Sequence, residues 1–269
     1  MKKLTLNDNT TIDIIGSGTN TFGKENHDYT APINMDTTEI IMAIKNGYRH
    51  FDTAISYRNE SVLGKGLKES GLSREEVYIT TKIPGRSPHF DSKEAVRDSI
   101  ESSLKALDTD YIDLYLIHKP WDNSDAMFMM WQELEKAVDE GIIKSIGVSN
   151  FNENQLKDLY DRARIKPSIN QIESHPGFWN HDLIEYAQNL GVAIEAWGPL
   201  TRVSETAKKV LSEIGQKYNK SWAQIILRYQ IERDVIVIPK SHNSNRQKAN
   251  LDIFDFTLTD EEKEAISRL

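Results

Sequence analysis

The chain has 269 residues and is 38% hydrophobic, so it can bury most of its apolar surface in one domain, which we expect to span residues 1–269. Its formal net charge is −8 with acidic and basic residues interspersed, which argues against a nucleic-acid or anionic-membrane partner. The lack of cysteine excludes disulfides and thiol catalysis, and because no N-terminal segment resembles a signal peptide or membrane span, we expect a cytoplasmic protein.

Two short alternating segments around residues 7–9 open the chain and predict a β-hairpin. After the hairpin, apolar runs of strand length alternate with amphipathic helical segments. Eight such runs are predicted as strands, at residues 14–15, 50–51, 77–81, 112–117, 146–148, 168–172, 192–196 and 235–238. Because no linker or low-complexity stretch interrupts the eight βα units, we predict an α/β fold of the closed (β/α)8 TIM barrel type rather than an open doubly wound sheet.

The helices between these strands are predicted from apolar spacing and from their starts. Apolar residues recur with helical period in two segments and are expected to pack on the sheet, at Val96, Ile100, Leu104 and Leu107 and at Met127, Met130, Leu134 and Val138. Three capping boxes predict helix starts, in the pairs Asp36 with Glu39, Asn152 with Gln155, and Thr259 with Glu262.

Side chains with functional chemistry follow most of the predicted strands. In a barrel of this type the loops after the strands carry the active site, because the barrel holds them rigidly while their sequences vary. The residues that close the strands and therefore need a functional test are Asp52, Lys82, His118, Ser149, Asn150, Gln171, Trp197 and Lys240.

Four groups near these strand ends can move or polarise a proton: Asp52, Tyr57, Lys82 and His118. Taken singly, each has an ordinary explanation as a helix cap, a surface aromatic, a solvated charge or a loop histidine. Taken together they suit acid catalysis, because a free phenol with a pKa of about 10 is a poor acid unless its phenolate is stabilised. A facing lysine would lower that pKa, a carboxylate would hold the lysine, and an imidazole could steer a substrate oxygen. We interpret the set as a site that protonates a carbonyl oxygen.

Nearly the whole chain resembles the aldo-keto reductase superfamily, in particular its bacterial single-barrel members. Several independent motifs in the right order carry the resemblance, which makes it far more specific than a lone glycine pattern. They are Gly16-Ser17-Gly18-Thr19, residues 47–60, Leu116-Ile117-His118, Gly147-Val148-Ser149-Asn150-Phe151, Asn170-Gln171-Ile172-Glu173, Trp197-Gly198-Pro199-Leu200 and Ile238-Pro239-Lys240-Ser241.

The resemblance implies an enzyme that reduces an aldehyde or ketone reversibly to an alcohol with NADPH and that requires no metal. It implies that Tyr57 is the general acid, that Lys82 and Asp52 tune it, and that His118 orients the carbonyl. The expected partner is a small-molecule carbonyl substrate, and the chain is expected to be a monomer.

A nicotinamide site is implied by the same resemblance. The carboxamide is expected to contact Ser149, Asn150 and Gln171, and the ring is expected to stack on Trp197. A flat apolar face there is physically sensible, because the cofactor ring must lie parallel to the substrate carbon that receives the hydride.

The segment at residues 240–250 resembles the family's site for the adenosine phosphate. Lys240, Ser241 and Arg246 would grip the 2′-phosphate, which favours NADPH over NADH, and Asn250 would contact adenine. The complete predicted set of cofactor-binding residues is Gly18, Thr19, Asn20, Asp52, Ser149, Asn150, Gln171, Trp197, Gly198, Pro199, Leu200, Lys240, Ser241, His242, Arg246 and Asn250.

The chain departs from the family pattern at three positions. Ala249 replaces a common glutamate and weakens the expected grip on adenine, while Asn20 and Lys119 replace common aromatics and make the substrate pocket more polar. We expect a more open, permissive pocket, because the long C-terminal loop of some relatives looks absent. Loop aromatics that could supply apolar walls are Phe22, Phe90, Trp121 and Trp179. The predicted substrate residues are Tyr57, His118, Asn20, Phe22, Lys119 and Trp121.

Two other functions stay open on the sequence. A metal-dependent barrel hydrolase would use donors among Asp52, His118, His175 and His242, but no paired-histidine strand motif is present and Lys82 would compete as a cation. An NADPH-binding regulatory or redox-sensing barrel with slow turnover is the second alternative. The physiological substrate cannot be deduced, because pocket shape depends on loop conformation.

Overall fold

The computed structural model describes residues 2–269, and within them the chain forms ten strands and ten α-helices. The strands are β1 Lys3–Thr5, β2 Thr11–Asp13, β3 Ser17–Gly18, β4 His50–Asp52, β5 Tyr78–Ile83, β6 Ile112–Ile117, β7 Ile143–Ser149, β8 Ile169–Glu173, β9 Ala193–Trp197 and β10 Val235–Val237. The helices are α1 Thr38–Asn46, α2 Glu60–Ser70, α3 Lys93–Leu107, α4 Ser124–Asp139, α5 Glu153–Arg162, α6 His181–Asn189, α7 Glu205–Gln216, α8 Trp222–Glu232, α9 Ser244–Leu251 and α10 Asp260–Ser267. None of the helices in this part of the chain has the length and apolarity that crossing a membrane requires.

The predicted hairpin is present and covers the amino end of the barrel. Strands β1 and β2 pair antiparallel, and Asn9 at the turn has a positive φ of 67°. The turn reaches the loop before β8 through a hydrogen bond of 2.9 Å from the Asn7 side chain to the Pro167 carbonyl. Leu6 and Ile12 are buried, so the hairpin closes the floor of the barrel and leaves the opposite end open.

The predicted (β/α)8 barrel is confirmed: strands β3 to β10 form one parallel sheet in chain order. The sheet closes where Ile15 bridges Val237 and where the Gly16 amide donates to the Val237 carbonyl at 2.8 Å. The first barrel strand lies at Ser17–Gly18 rather than at the predicted residues 14–15, which instead make the closure. Gly16 is required between them, because a Cβ there would lie 2.4 Å from the imidazole of His50.

The core fills the barrel and the space between the barrel and its helices. Both predicted apolar stripes contribute to it: Val96, Ile100 and Leu107 of α3 and Met130 and Leu134 of α4 are buried. A smaller cluster packs between α7, α8 and α10. Every residue of β6 is buried, which is typical of a strand covered on both faces.

Two of the three predicted capping boxes are confirmed and the third is wrong. Asn152 with Gln155 begins α5 and Thr259 with Glu262 begins α10. Asp36 instead accepts the Thr38 amide at 2.9 Å one residue before the cap of α1. Glu39 is free to turn away from its own helix, and its carboxylate accepts the Gly23 amide at 3.2 Å.

Candidate active site

A cleft of about 500 Å³, here called the main cleft, opens at the carboxyl ends of the barrel strands. Asp52, Tyr57 and His118 of the predicted catalytic set line it, and the Lys82 side chain lies fully buried beneath them. The lining residues are Gly18, Thr19, Asn20, Asp52, Tyr57, His118, Ser149, Asn150, Gln171, Trp197, Gly198, Pro199, Leu200, Thr201, Arg202, Ile238, Pro239 and Lys240. Thr201 and Arg202 were not among the predicted residues; they directly follow the motif Trp197-Gly198-Pro199-Leu200.

The Lys82 ammonium joins the predicted catalytic groups. From β5 its Nζ donates to the Asp52 carboxylate at 2.8 Å, to the Thr53 carbonyl at 2.9 Å and to the Tyr57 hydroxyl at 3.2 Å. Burial would lower the pKa of Lys82, but the Asp52 carboxylate and the Tyr57 hydroxyl raise it above its ordinary value. The ammonium is therefore charged and fixed against the phenol, as the sequence suggested.

Tyr57 reaches the cleft because the chain turns sharply after β4. A single 3-10 turn at Ile55–Tyr57 follows the strand, and Arg58 ends the turn with a positive φ of 62°. The Tyr57 ring meets the His118 imidazole edge to face, with centroids 5.6 Å apart. The phenol and the imidazole thus face the same space above Lys82.

Burial raises the pKa of Tyr57 above the usual value of a phenol, and the charge of Lys82 only partly offsets this. The lysine lowers the pKa of the phenol, as expected, but the net pKa is raised because the cost of desolvating a phenolate exceeds the attraction of one ammonium. Tyr57 stays protonated at neutral pH. A proton held in this way is available when negative charge develops on a bound oxygen.

His118 follows β6, and its amide donates to the Ile83 carbonyl at 2.9 Å. Burial lowers the pKa of the imidazole to about 3, with further lowering by the charges of Lys82, Lys119 and Arg86. His118 is consequently neutral across the physiological range and can act only as a neutral hydrogen-bonding group.

A buried polar network supports Asp52, and its member Glu195 was not among the predicted site residues. The Gln171 amide donates to the Asp52 carboxylate at 2.8 Å and to the Glu195 carboxylate. Glu195 is fully buried on β9, and burial, followed by the charge of Asp52, raises its pKa to about 8. Its second oxygen lies 3.7 Å from His50 Nε2. The sequence signal was an acidic residue inside the apolar run predicted as a strand at residues 192–196.

The predicted nicotinamide residues Ser149, Asn150, Gln171 and Trp197 lie together in the lining of the main cleft. The Trp197 indole donates to the Asn150 side-chain oxygen at 2.9 Å, and the Asn150 amide donates to the His118 carbonyl at 3.1 Å. The Ser149 hydroxyl donates to the Gln171 carbonyl at 2.9 Å. Asn150 adopts a positive φ of 62°, which turns the chain so that these groups face one space.

The predicted phosphate residues divide between the main cleft and its surroundings. Lys240 lines the cleft, and its ammonium donates to the Thr21 hydroxyl at 2.9 Å. Arg246 is exposed in the first turn of α9, whereas Asn250 is buried beside Tyr48. The other two residues make hydrogen bonds within the protein. Ser241 bonds to the backbone of Asn243, and His242 bonds to the side chains of Thr21 and Glu39.

The predicted aromatic walls of the substrate pocket are placed differently from expectation. Phe22 is fully buried in the core and does not line the main cleft, and Trp179 packs in the cluster beside α8. Trp121 stacks on Phe90 at 4.9 Å and leans on Gly85, outside the main cleft. Their hydrophobic surface is used in packing, because an exposed aromatic ring gains more from burial than from lining a wet cleft.

The metal set of the hydrolase alternative does not assemble. Among residues 2–269, one group of three His or acidic side chains has its donor atoms close enough to share an ion, formed by His27, Glu39 and His242. Asp52, His118 and His175 are not part of it, and Asp52 is already paired with Lys82. The donors of the proposed hydrolase therefore lack a common coordination sphere.

The known proteins that this chain resembles in sequence and in structure are reductases. The model of the Aldo/keto reductase family matches residues 14–269. A glyoxal reductase from Bacillus subtilis (strain 168) is 43% identical over 236 residues, which cover 88% of this chain and 84% of the relative. A methylglyoxal reductase from Yersinia pestis is 37% identical over 243 residues, covering 90% and 86%. A solved aldo-keto reductase from Bombyx mori in complex with NADP is similar with a TM-score of 0.88 at 38% identity, covering 99% of this chain and 92% of the other.

Proposed function

The chain belongs to the aldo/keto reductase family, and from that premise we propose that it reduces aldehydes or ketones with NADPH, using Tyr57 as the general acid. Family membership makes it an oxidoreductase acting on carbonyl compounds. The observation that carries the finer proposal is the contact of 3.2 Å between the Lys82 ammonium and the Tyr57 hydroxyl beneath a cleft shared with His118.

The residues of this chain can bind and protonate a carbonyl oxygen. The oxygen would accept hydrogen bonds from the Tyr57 hydroxyl and from the neutral His118 ring, which face one another across 5.6 Å. As that oxygen becomes an alkoxide, Tyr57 gives it the proton, and the phenolate left behind is stabilised by the Lys82 ammonium. Asp52 keeps the ammonium in place through its contact of 2.7 Å.

The residues present fit NADPH, which when bound supplies the hydride. Asn20 brings a buried side-chain oxygen without a hydrogen-bond partner to the cleft, which is an acceptor ready for a bound ligand. Trp197 offers a half-buried aromatic face, and Lys240 adds a cation to the lining of the cleft. The solved Bombyx mori relative that contains NADP supports this assignment.

Small aldehydes and 2-oxoaldehydes are the proposed substrates, because two relatives are named glyoxal reductase and methylglyoxal reductase. The test follows NADPH oxidation with glyoxal, methylglyoxal and simple aromatic aldehydes. We expect turnover with several of them. NADPH binding without any turnover would contradict the proposal and favour the regulatory-barrel alternative.

Cofactor choice gives a second test through Arg246. Replacing Arg246 by Ala should raise the Kd of NADPH by about tenfold or more and leave that of NADH nearly unchanged, because only NADPH carries the 2′-phosphate. Fluorescence titration measures both constants. Lys248→Ala removes another exposed cation of α9 and is the matched control. Equal losses for both cofactors would refute the assignment of Arg246.

The domain organisation, oligomeric state, location and partners of the protein stay predictions. We expect a single domain over residues 1–269, a monomeric state, a cytoplasmic location, and no nucleic-acid or membrane partner. Sedimentation of the purified protein tests the monomer directly.

A further inference from the structure

A second cleft of about 510 Å³ lies beside the main cleft and shares His118 with it. Ser56 and Arg58, the neighbours of Tyr57 on both sides, also line it. The second cleft therefore adjoins the position of a carbonyl group held by Tyr57 and His118. The rest of the same substrate molecule can extend into it.

Three cations and no acidic residue line this second cleft, here called the cationic cleft: Arg58, Arg86 and Lys119. The chain as a whole has a formal net charge of −8, so this local excess of positive charge is opposite in sign to the overall charge. Many other basic side chains in residues 2–269 pair with a carboxylate, as Lys82 and Arg74 do.

The structure gives these cations no anionic partner among the described residues. Arg58 donates to the carbonyls of Tyr29 and Thr30 at 3.0 Å, which fixes its guanidinium without neutralising it. Arg86 and Lys119 are exposed and make no ion pair. Their charges reach the catalytic groups, since both lower the pKa of His118. Like charges gathered at one opening repel one another, and a bound anion would relieve that repulsion.

We propose that the carbonyl substrate carries an anionic group, a carboxylate or a phosphate, which binds in the cationic cleft while its carbonyl lies between Tyr57 and His118. This inference rests on the proposed reductase function and narrows its substrate class. Guanidinium groups suit the task because their planar donors match carboxylate and phosphate oxygens in pairs. The same field would draw anionic aldehydes from solution and slow the entry of cationic ones.

Matched substrates test the proposal on the full chain with NADPH. For the carboxylate arm, 4-carboxybenzaldehyde is compared with its methyl ester, and for the phosphate arm, glyceraldehyde 3-phosphate is compared with glyceraldehyde. In at least one arm we expect kcat/KM to be about tenfold or more higher for the anion, mainly through a lower KM. The arm with the larger ratio identifies the anion.

Variants locate the effect. The double variant Arg86→Gln with Lys119→Gln should reduce the anion-to-neutral ratio of kcat/KM to near one. Lys209→Gln removes an exposed cation of α7 that lines neither cleft, and should keep the ratio. A wild-type ratio of one or less in both arms, or a ratio unchanged in the double variant, would overturn the inference.

The neutral substrates keep this test separate from that of the proposed function. Turnover of the ester and of glyceraldehyde without preference for the anions overturns the anionic substrate class alone. No turnover of any aldehyde, neutral or anionic, overturns the reductase function itself.

Discussion

Two short ion pairs lie at opposite ends of the barrel, and they differ in what surrounds them. At the carboxyl end, Lys82 and Asp52 are 2.7 Å apart and essentially buried. At the amino end, Arg74 and Asp113 are 2.6 Å apart, with the arginine 19% exposed. By distance and sign of charge the two pairs are equivalent.

The two ion pairs differ in the other hydrogen bonds that their cations donate. Arg74 directs its other N–H groups to the carbonyls of Val77 and Tyr111 and to the Thr109 hydroxyl, so these contacts are structural. Lys82 directs one donor to a phenol that faces a cleft. A second cation, Lys144, lies 3.5 Å from Asp113. The ion pair at the carboxyl end instead has a second carboxylate nearby, that of Glu195. A buried ion pair therefore indicates chemistry when one of its donors is directed to a hydroxyl that faces a cleft, as Lys82 is to Tyr57.

The largest expected effect comes from breaking the pair at the carboxyl end. Lys82→Met should lower kcat/KM for a neutral aldehyde by about 10²–10⁴, because the Tyr57 phenolate loses its counter-charge. It should also destabilise the fold by about 3–5 kcal/mol, since Asp52 is left buried and unpaired. Steady-state rates and urea unfolding measure the two effects.

The matched control breaks the pair at the amino end. Arg74→Met should cost about 1–3 kcal/mol of unfolding free energy and leave kcat/KM within about twofold, because Asp113 keeps the Ile79 amide at 3.0 Å and lies far from the cleft. If Arg74→Met impaired reduction as severely as Lys82→Met, the claim that only the ion pair at the carboxyl end serves catalysis would be contradicted.

A smaller effect is expected on the pH dependence of stability, through Glu195 at the carboxyl end. Its pKa of about 8 is above that of an unfolded carboxyl, so the stability that its neutral form provides is complete below about pH 4.5 and is lost as pH rises through 8. The neutral analogue Glu195→Gln should lose less stability than the wild type between pH 6 and about 8, by on the order of 1 kcal/mol per pH unit. Urea unfolding at several pH values measures this, and parallel curves would contradict it.

The last prediction is that the His118 ring does not titrate near neutral pH. Because burial and the neighbouring cations lower the pKa of His118 to about 3, its ring should stay neutral from pH 5 to pH 8. NMR chemical shifts of the ring, assigned with a His118→Gln variant, should be constant over that range. A midpoint near 6.5 would show that the site is far more hydrated than the structure indicates.

The barrel and the group formed by Asp52, Tyr57, Lys82 and His118 were predictable from the sequence, because residues at or just beyond the ends of parallel strands must lie at one end of the sheet. Side-chain direction and desolvation were not predictable. Phe22 stands next to the Gly18–Asn20 wall in sequence, yet it turns into the core. The sign of the Tyr57 pKa shift depends on how deeply the ring is buried, which residue type alone does not give. The cationic cleft combines cations from three loops, and only the fold brings them together.

The role of Tyr57 is tested most directly by one paired measurement on Tyr57→Phe, of aldehyde turnover and of NADPH affinity. Turnover should fall by about 10²–10⁴ while the Kd of NADPH changes less than about twofold, because only the transferable proton has been removed. Tyr111→Phe, which removes a hydroxyl without a partner at the amino end, is the control and should keep both values. Full turnover by Tyr57→Phe would contradict the account.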